Sequence, residues 1–318
     1  MRIVLLDGFS TDQGDESWPE LRALGDLVVH PRTRPAQVLE RCAGAQAVLT
    51  NKVAISAETM AALPGLRYIG LTSTGTNVVD LAAARDRHIA VTNVPAYSTE
   101  SVAELVFAMI LHFCFRAAEH DAAVKAGRWA QSPDFCFFLA PLRELDGKTL
   151  VVVGRGAIGQ AVGRIGAAFG MHVVAAAVPG SSSAERVPLF EALPLGDVVT
   201  LHCPLTPSTR GMVNREFLAA LRDDAILINT SRGPVVDEAA LREALAAGKL
   251  GGVGLDVLER EPPVASHPLL EPDAPWASRL LVTPHLGWGT REARARLAFE
   301  VAANLAAFQA GGRRNRVE

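Results

Sequence analysis

The sequence has few cysteines, and their spacing argues against two kinds of site. Cys42, Cys114, Cys136 and Cys203 are the only four in 318 residues. None belongs to a Cys-x-x-Cys pair, so neither a disulfide framework nor a zinc site is favoured. Isolated, reduced and partly buried thiols are the better interpretation, and the sequence predicts no metal site.

The chain also lacks an excess of positive charge and a long apolar run. Its formal net charge is −3 at pH 7, so no global field attracts nucleic acid or an anionic membrane, although a local basic site for a small anion stays open. The N-terminal apolar run is too short for a signal peptide, and the stretch from Val102 to Phe115 is interrupted by Glu104 and His112. The sequence therefore predicts a cytoplasmic protein with neither a nucleic-acid nor a membrane partner.

Apolar residues are plentiful and occur in short runs that alternate with helical stretches. Hydrophobic residues make up 49% of the chain and charged residues 20%, which is enough to bury a large core. The length suggests two domains, and the alternation is typical of an α/β fold with parallel sheets wrapped by helices. The predicted strands are residues 3–6, 27–29, 47–50, 68–71, 90–92, 148–153, 173–177, 198–202, 225–229, 252–256 and 280–283.

The helical stretches differ in length and character. The main predicted helices are residues 18–24, 100–126, 160–169 and 291–310. The second of these is expected to be one long helix, and the last is Ala-rich and amphipathic. The polar tail, residues 311–318, is expected to be frayed.

The strongest local motif is a glycine-rich turn after the strand predicted at 148–153. Gly154, Gly156 and Gly159 form the pattern Gly-x-Gly-x-x-Gly between that strand and a helix. The first glycine permits a tight turn, the second lets the backbone approach a pyrophosphate, and the third lets the helix pack on the strand. Because the helix N-terminus also presents free N–H groups, the motif favours dinucleotide binding. The alternative is a glycine-rich turn without a ligand.

The acidic residue that usually holds the adenosine ribose is missing. It is expected about 20 residues beyond the glycines, yet no Asp or Glu occurs there before Glu185. Hydrogen bonds to a 2′-phosphate are instead offered by Ser181, Ser182, Ser183 and Arg186. The sequence thus predicts NAD or NADP as cofactor. Our hypothesis is that the protein accepts NADP. A stronger hypothesis is that it prefers NADP to NAD.

Three charged residues lie just beyond predicted strands. Arg232, Glu261 and His285 follow the strands at 225–229, 252–256 and 280–283, and ligands bind at the carboxyl edge of such sheets. A histidine suits proton donation to the oxygen of a 2-oxo acid as a hydride arrives, and a carboxylate orients the imidazole and stabilises its protonated form. An arginine offers a planar fork of donors for a substrate carboxylate. Taken singly, each has a structural alternative: a solvated loop arginine, a glutamate that ends a turn, and a buried histidine.

Together these segments resemble the D-isomer-specific 2-hydroxyacid dehydrogenase family over nearly the whole chain. The resemblance also covers residues 93–104, Asn-Val-Pro-Ala-Tyr-Ser-Thr-Glu-Ser-Val-Ala-Glu, and residues 202–211, His-Cys-Pro-Leu-Thr-Pro-Ser-Thr-Arg-Gly. It is greatest to the glycerate dehydrogenase and hydroxypyruvate (glyoxylate) reductase branch. It implies NAD(P)-dependent hydride transfer between nicotinamide and a small D-2-hydroxy acid or 2-oxo acid, with glyoxylate or hydroxypyruvate as the first choice.

The resemblance also implies roles for particular residues. His285 is the acid in reduction and the base in oxidation, Glu261 is its partner, and Arg232 binds substrate. The other implied substrate-binding residues are Lys52, Ser73, Thr74 and Gly75, where small residues let backbone N–H groups bind a carboxylate. The implied cofactor-binding residues are Ser101, Gly154, Arg155, Gly156, Ala157, Ile158, Gly159, Ser181, His202, Cys203, Pro204, Thr209, Thr230, Ser231, Arg232, Asp256 and His285.

Some of these positions carry an alternative or depart from the family's pattern. Lys52 is equally well a surface lysine after a strand. Asp256 resembles the aspartate near the nicotinamide carboxamide. Ala157 stands where many members place an arginine beside the pyrophosphate, and Arg155 is the candidate to replace it. Trp288 adds bulk where many members have a small residue, so it either narrows the acyl pocket or only packs.

The family's architecture implies two Rossmann-like, doubly wound domains with the site in the cleft between them. Residues 1–97 with 286–318 would form a discontinuous, flavodoxin-like substrate-binding domain, and residues 98–285 a dinucleotide-binding domain. Family members are usually homodimers through the cofactor domain. The long helix and the Phe-rich residues 135–139 fit such a contact, or else pack internally.

Two alternatives to this function stay open. One is a dehydrogenase of the same fold for another acid, such as phosphoglycerate, lactate or a bulkier keto acid. The other is a non-catalytic NAD-binding corepressor or sensor, and the retention of Arg232, Glu261 and His285 argues against it.

Overall fold

The computed structural model describes residues 1–12, 18–181 and 186–318. Backbone contacts divide the chain into two compact units. The first unit comprises Met1–Ser98 with Trp288–Glu318, and the second comprises Thr99–Gly287. Each unit has its own parallel sheet and its own buried core, so the α/β fold class is confirmed.

The strands lie within one residue of their predicted positions at either end. They are β1 (Arg2–Leu5), β2 (Asp26–Val29), β3 (Ala47–Thr50), β4 (Tyr68–Leu71), β5 (Ala90–Thr92), β6 (Thr149–Val153), β7 (His172–Ala176), β8 (Val198–Leu201), β9 (Ile226–Asn229), β10 (Gly252–Leu255) and β11 (Leu280–Val282). The helices are α1 (Pro19–Arg22), α2 (Val38–Cys42), α3 (Ala57–Ala61), α4 (Leu81–Asp86), α5 (Thr99–Phe115), α6 (Ala117–Lys125), α7 (Ala157–Ala168), α8 (Leu189–Ala192), α9 (Arg215–Ala220), α10 (Glu238–Ala246) and α11 (Arg291–Gln309).

The sheet of the first unit has the strand order β2-β1-β3-β4-β5, and all its neighbouring strands are parallel. This is the flavodoxin-like order, in which the chain reverses direction between β1 and β3. The helix α11 returns the C-terminal segment to one face of this sheet. Its residues Leu297, Val301 and Leu305 repeat every four positions and share a buried cluster with Leu49 and Tyr68. Burying each such leucine stabilises the unit by roughly 1.5–3 kcal/mol.

The C-terminal tail is held against β5, so the expectation that it is frayed is wrong. Val317 donates its N–H to the carbonyl of Val91 at 3.0 Å, and the Glu318 carboxylate accepts the N–H of Val91 at 2.8 Å. Arg316 pairs with the same carboxylate. The strand β5 lies at the edge of its sheet, and edge strands present backbone groups that need partners. The polar composition of the tail gave no sign of this docking.

The sheet of the second unit has the order β11-β10-β9-β8-β6-β7, and its strands are all parallel. The chain runs outward from β6 to β7 and then crosses back past β6 to β8. The switch point therefore lies between β6 and β8, where α/β proteins of this kind bind ligands at the carboxyl ends of the strands. The helices α5 and α7 pack on one face of the sheet around Phe107, Ile110 and Val162.

The long helix predicted at 100–126 is two helices, α5 and α6, which meet at an angle of 53°. Arg116 breaks the helix because its φ is +47°, in the left-handed region that interrupts the backbone hydrogen-bond ladder. Neither glycine nor proline marks the break in the sequence. Among the described residues no single helix is long and apolar enough to cross a membrane, and only this bent pair passes that test by length and composition.

Candidate active site

The glycine-rich turn joins β6 to α7 at the switch point of the second sheet. Gly154 has a φ of +101°, and a Cβ there would lie 2.7 Å from the carbonyl carbon and oxygen of His202. A Cβ on Gly159 would lie 2.0 Å from the carbonyl oxygen of Gly154. Any side chain at either position would collide with backbone, so the turn itself requires both glycines.

The middle glycine, Gly156, is not required by packing. A Cβ on Gly156, the N-cap of α7, would meet no atom of the described residues within 4 Å. Its neighbours Arg155 and Ala157 are exposed, and Ile158 packs against the core below the helix. Open space at the N-terminus of a 12-residue helix suits a phosphate, since free N–H groups point outward there. The buried hydroxyl of Thr230, which has no hydrogen-bond partner among the described residues, lies beyond β9 at the same sheet edge. Both features fit a bound dinucleotide.

The segment after β8 contributes a neutral histidine. The Nε2 atom of His202 lies 2.8 Å from the Thr200 hydroxyl, and burial lowers the pKa of His202 to about 3. Cys203 is 2% exposed, and burial raises the pKa of its thiol to about 11. At pH 7 the switch point therefore carries neither an imidazolium nor a thiolate from these two residues.

Two side chains assigned to the cofactor form turns of their own. The Thr209 hydroxyl donates to the carbonyl of Pro204 at 2.6 Å. The Ser181 hydroxyl donates to the carbonyl of Val178 at 2.7 Å in the loop after β7. Arg186 reaches Ser181 with a nitrogen-to-oxygen distance of 3.5 Å, so these two residues stand together. Ser182 and Ser183, which were predicted to share a 2′-phosphate with them, lie outside the described residues.

Glu261 and His285 form a direct pair. The Nδ1 atom of His285 lies 2.6 Å from Oε2 of Glu261, and Oε1 of Glu261 accepts the N–H of Leu258 at 3.1 Å. Facing a carboxylate, Nδ1 acts as the donor. The other ring nitrogen, Nε2, is then directed away from Glu261. His285 has a φ of +52°, which an L residue rarely adopts, so neighbouring contacts must hold its backbone.

Asp256 provides that restraint. Its carboxylate accepts the Thr283 hydroxyl at 2.5 Å and the N–H groups of Leu286 and Gly287, each at 2.9 Å. Its carbonyl accepts the N–H of His285 at 2.8 Å. Asp256 is 2% exposed, so these bonds are shielded from water.

Ser101 joins the same arrangement from α5. Its hydroxyl is buried and donates to the carbonyl of Gly287 at 2.5 Å. Two side chains assigned to the cofactor by resemblance, Asp256 and Ser101, therefore hold the loop that carries His285.

Arg232 lies in a loop fixed by Asn229. The Asn229 side chain accepts the N–H and the hydroxyl of Ser231, at 3.0 and 2.8 Å, and donates to the carbonyl of Arg232 at 3.0 Å. The Arg232 guanidinium is exposed and donates to the carbonyl of Ser231 at 2.7 Å. The structure does not pair this guanidinium directly with Glu261 or His285.

Gly233 nevertheless brings the Arg232 loop and the Glu261 loop into contact. A Cβ on Gly233 would lie 1.9 Å from the carbonyl oxygen of Leu258 and 2.5 Å from the nitrogen of Glu259. The two backbones therefore touch without an intervening side chain. Arg232, Glu261 and His285 thus stand on three loops that are tied to each other at the carboxyl edge of β9, β10 and β11.

In the first unit, Asp7 organises the residues after β3. Its carboxylate accepts the N–H groups of Asn51, Lys52 and Val53 at 2.9, 2.6 and 3.2 Å. The Lys52 side chain is exposed. Asp7 follows β1, so this arrangement lies at the switch point between β1 and β3.

The predicted substrate loop follows β4 in the same sheet. The Ser73 hydroxyl donates to the carbonyl of Gly75 at 2.9 Å, and the Thr74 hydroxyl donates to the carbonyl of Val94 at 2.8 Å. These hydroxyls are committed to the loop, so the backbone N–H groups are what the loop offers to a ligand. Trp288 packs against the core of this unit.

Several residues that build the site were not expected from the sequence. Asp7 and Asn229 each lie at or just beyond the end of a buried strand, the same signal that led to Arg232. Glu238 and His267, which are also in contact, carried no such signal, because they lie 29 residues apart in the chain.

Comparison with known proteins identifies the family to which this geometry belongs. Residues 107–287 match the family model described as D-isomer specific 2-hydroxyacid dehydrogenase, NAD binding domain. That range is more than half of the chain and includes the glycine-rich turn with all three charged residues. The chain belongs to the D-isomer-specific 2-hydroxyacid dehydrogenase family. The resemblance seen in the sequence is thereby confirmed.

Individual proteins that are similar to this dehydrogenase support the same family assignment. It is 41% identical over 278 residues to the hydroxypyruvate reductase of Blautia hydrogenotrophica, covering 85% of this chain and 86% of that protein. It is 40% identical over 284 residues to the glycerate dehydrogenase of Methylorubrum extorquens, covering 89% of each. The crystal structure of the NADPH-dependent glyoxylate/hydroxypyruvate reductase of Sinorhizobium meliloti, in complex with citrate, is similar with a TM-score of 0.82 and 28% identity, over 99% of this chain and 97% of that one.

The dehydrogenase is therefore an oxidoreductase that uses a nicotinamide cofactor and acts on small hydroxy and oxo acids. Within residues 1–12, 18–181 and 186–318, no group of three or more His, Cys, Asp or Glu side chains is placed to hold a metal ion.

Proposed function

We propose that this dehydrogenase reduces glyoxylate or hydroxypyruvate to the corresponding 2-hydroxy acid, of D configuration where carbon 2 is chiral, and catalyses the reverse oxidation. The observation that carries the proposal is the 2.6 Å contact between Nδ1 of His285 and Oε2 of Glu261. It leaves Nε2 of the ring for a substrate oxygen. The choice of acid is supported by relatives named hydroxypyruvate reductase, glycerate dehydrogenase and glyoxylate/hydroxypyruvate reductase.

His285 is the acid–base residue in this proposal. During reduction its Nε2 gives a proton to the carbonyl oxygen of the substrate while carbon 2 receives the hydride, and during oxidation it takes that proton back. Glu261 stabilises the positive ring and fixes its orientation. The two side chains are 26% and 34% exposed, so the ring recovers its proton from solvent between turnovers.

The substrate carboxylate is proposed to bind Arg232, Lys52 and the backbone N–H groups of residues 73–75. The Arg232 guanidinium carries five N–H donors, and its one hydrogen bond among the described residues goes to its neighbour Ser231. The remaining donors suit a planar carboxylate, which an arginine binds through two parallel bonds. Lys52 adds a positive charge on a loop that Asp7 holds in place.

The bound nicotinamide supplies or accepts the hydride. We propose that the turn from Gly154 to Gly159 holds the pyrophosphate, with the segments that contain His202, Thr209 and Thr230 alongside. Asp256 has about one acceptor position left beyond its three donors, and this suits the carboxamide. NADP is proposed to be accepted because Ser181 and Arg186 stand together where a ribose-binding acid is missing.

Three further features are proposed on the same basis. The unit Met1–Ser98 with Trp288–Glu318 binds substrate, and the unit Thr99–Gly287 binds cofactor. The chain forms a homodimer through the second unit, where Phe135 and Phe138 are 90% and 64% exposed and would be covered by a partner copy. The cytoplasmic location expected from the sequence stays a prediction.

A substrate panel tests this function. NADH or NADPH absorbance is followed with glyoxylate, hydroxypyruvate, pyruvate and phosphohydroxypyruvate under matched conditions. We expect the largest kcat/KM for glyoxylate or hydroxypyruvate, with measurable turnover from NADPH. A larger value for pyruvate or phosphohydroxypyruvate would assign another substrate within the family. Cofactor binding without turnover of any acid would favour the sensor.

A further inference from the structure

A second carboxylate–imidazole pair lies behind the loop that carries Glu261. The Nε2 atom of His267 lies 3.1 Å from Oε2 of Glu238, and the two side chains are 10% and 16% exposed. Glu238 is the first residue of α10, and His267 precedes the short turn Pro268–Leu270. Neither residue has a role in the proposed chemistry.

The backbone fixes the hydrogen that joins this pair. The Nδ1 atom of His267 accepts the N–H of Leu269 at 3.3 Å, so it carries no hydrogen of its own. The ring hydrogen is therefore on Nε2, where it is donated to Glu238. This leaves the second oxygen of the Glu238 carboxylate for another donor.

That second oxygen, Oε1, binds the backbone of the loop that carries Glu261. Oε1 of Glu238 accepts the N–H of Glu259 at 2.8 Å, two residues before Glu261. The peptide between Leu258 and Glu259 also lies against Gly233. The backbone that carries Glu261 is thus in contact with Gly233 and hydrogen-bonded to Glu238, and Glu238 is itself hydrogen-bonded to His267.

We propose that Glu238 and His267 are positioning residues, which hold residues 258–261 so that the Glu261 carboxylate meets His285. This inference rests on the proposed role of Glu261. A carboxylate that drifts by about 1 Å leaves the imidazole without its orienting partner, and displacements of that size cost on the order of 100-fold in rate. Neither residue touches substrate or cofactor in this scheme, so their loss acts on kcat while cofactor affinity is preserved.

A double-mutant cycle separates this role from a general contribution to stability. Glu238→Ala is expected to lower kcat at least about tenfold in the otherwise unchanged enzyme. In a Glu261→Gln background the same change is expected to alter kcat by less than about twofold, because the group it positions is already gone. An equal loss in both backgrounds would overturn the proposal.

Conservative variants sharpen the cycle. His267→Gln keeps a donor for Glu238 and is expected to stay near the wild-type kcat. His267→Asn keeps an acceptor for Leu269 but no longer reaches Glu238, and it is expected to match Glu238→Ala. Glu243→Gln is the matched control, since Glu243 lies on the same helix in an exposed pair with Arg215. Equal kcat values for the Gln and Asn variants of His267 would also count against the proposal.

A readout that needs no turnover keeps this inference apart from the proposed function. With histidine labelled by nitrogen-15, the proton between Nδ1 of His285 and Glu261 gives a downfield resonance, assigned by its loss in His285→Ala. Glu238→Ala is expected to shift or broaden that resonance, and Glu243→Gln is expected to leave it in place. An enzyme that reduces no 2-oxo acid but shows this pattern would refute the function and retain the positioning role. An unchanged resonance in Glu238→Ala would refute the positioning role alone.

Discussion

Replacing Gly233 by alanine would separate two catalytic loops by a distance that the structure defines. The new Cβ would lie 1.9 Å from the Leu258 carbonyl oxygen and 2.0 Å from its carbonyl carbon, about 1.5 Å short of the 3.4 Å at which ordinary contact begins. Both clashing atoms belong to backbone, so no side-chain rotation relieves them. The loop carrying Arg232 or the loop carrying Glu261 must move by about that distance.

The expected result is a large loss of kcat together with a measurable loss of stability. A displacement near 1 Å costs on the order of 100-fold in rate, and overpacking costs about 1–3 kcal/mol of unfolding free energy. Steady-state kinetics with NADPH and the best 2-oxo acid measure the first, and a denaturant titration measures the second. NADPH affinity is expected to fall less than kcat, because the turn at Gly154 is untouched.

Gly65→Ala is the matched control for this variant. A Cβ on Gly65 would have an ordinary contact of 3.9 Å with the carbonyl oxygen of Ala45, and the residue lies in the other unit. It is expected to leave kcat unchanged. A Gly233→Ala enzyme with wild-type kcat would refute the claim that contact between the two loops sets the catalytic geometry.

Three further results are expected. Glu261→Gln should lower the kcat of reduction at least about tenfold, because the amide neither orients the His285 ring as the carboxylate does nor carries the charge that favours proton transfer; a wild-type kcat would show that the pair has no part in proton transfer. Arg186→Gln should raise the KM for NADPH and leave the KM for NADH unchanged, and an equal change in both would remove Arg186 from 2′-phosphate recognition. Burial raises the pKa of Cys203 to about 11, so only about one thiol in a thousand is a thiolate at pH 8. Iodoacetamide should therefore label Cys203 far more slowly in the folded enzyme than in urea. Equal labelling rates would contradict the burial of this thiol.

Much of the fold was predictable because short apolar runs and parallel strands leave a clear pattern. Every strand was located within one residue, since runs such as Val198–Leu201 are buried on both faces of the sheet. The helix break at Arg116 was not predictable, because a left-handed arginine leaves no composition signal. The docking of the tail on β5 depends on the unpaired edge of a distant strand, which a local pattern does not contain.

Some residues of the candidate site were predicted from the sequence, and others were not. The pairing of Glu261 with His285, which lie 24 residues apart, was expected from their positions just beyond parallel strands and from the resemblance. The roles of Asp256 and Ser101 in holding the His285 loop required three-dimensional contacts. Glu238 and His267 were not predicted, because nothing in the sequence distinguishes them from an ordinary helix glutamate and an ordinary loop histidine.

The role of His285 as proton donor is tested most directly by the kcat of His285→Ala for glyoxylate or hydroxypyruvate reduction, measured together with its NADPH dissociation constant. We expect kcat to fall by about 10²–10⁴-fold while the dissociation constant stays within about twofold of the wild-type value. A wild-type kcat in this variant would contradict the assignment of His285 as the proton donor.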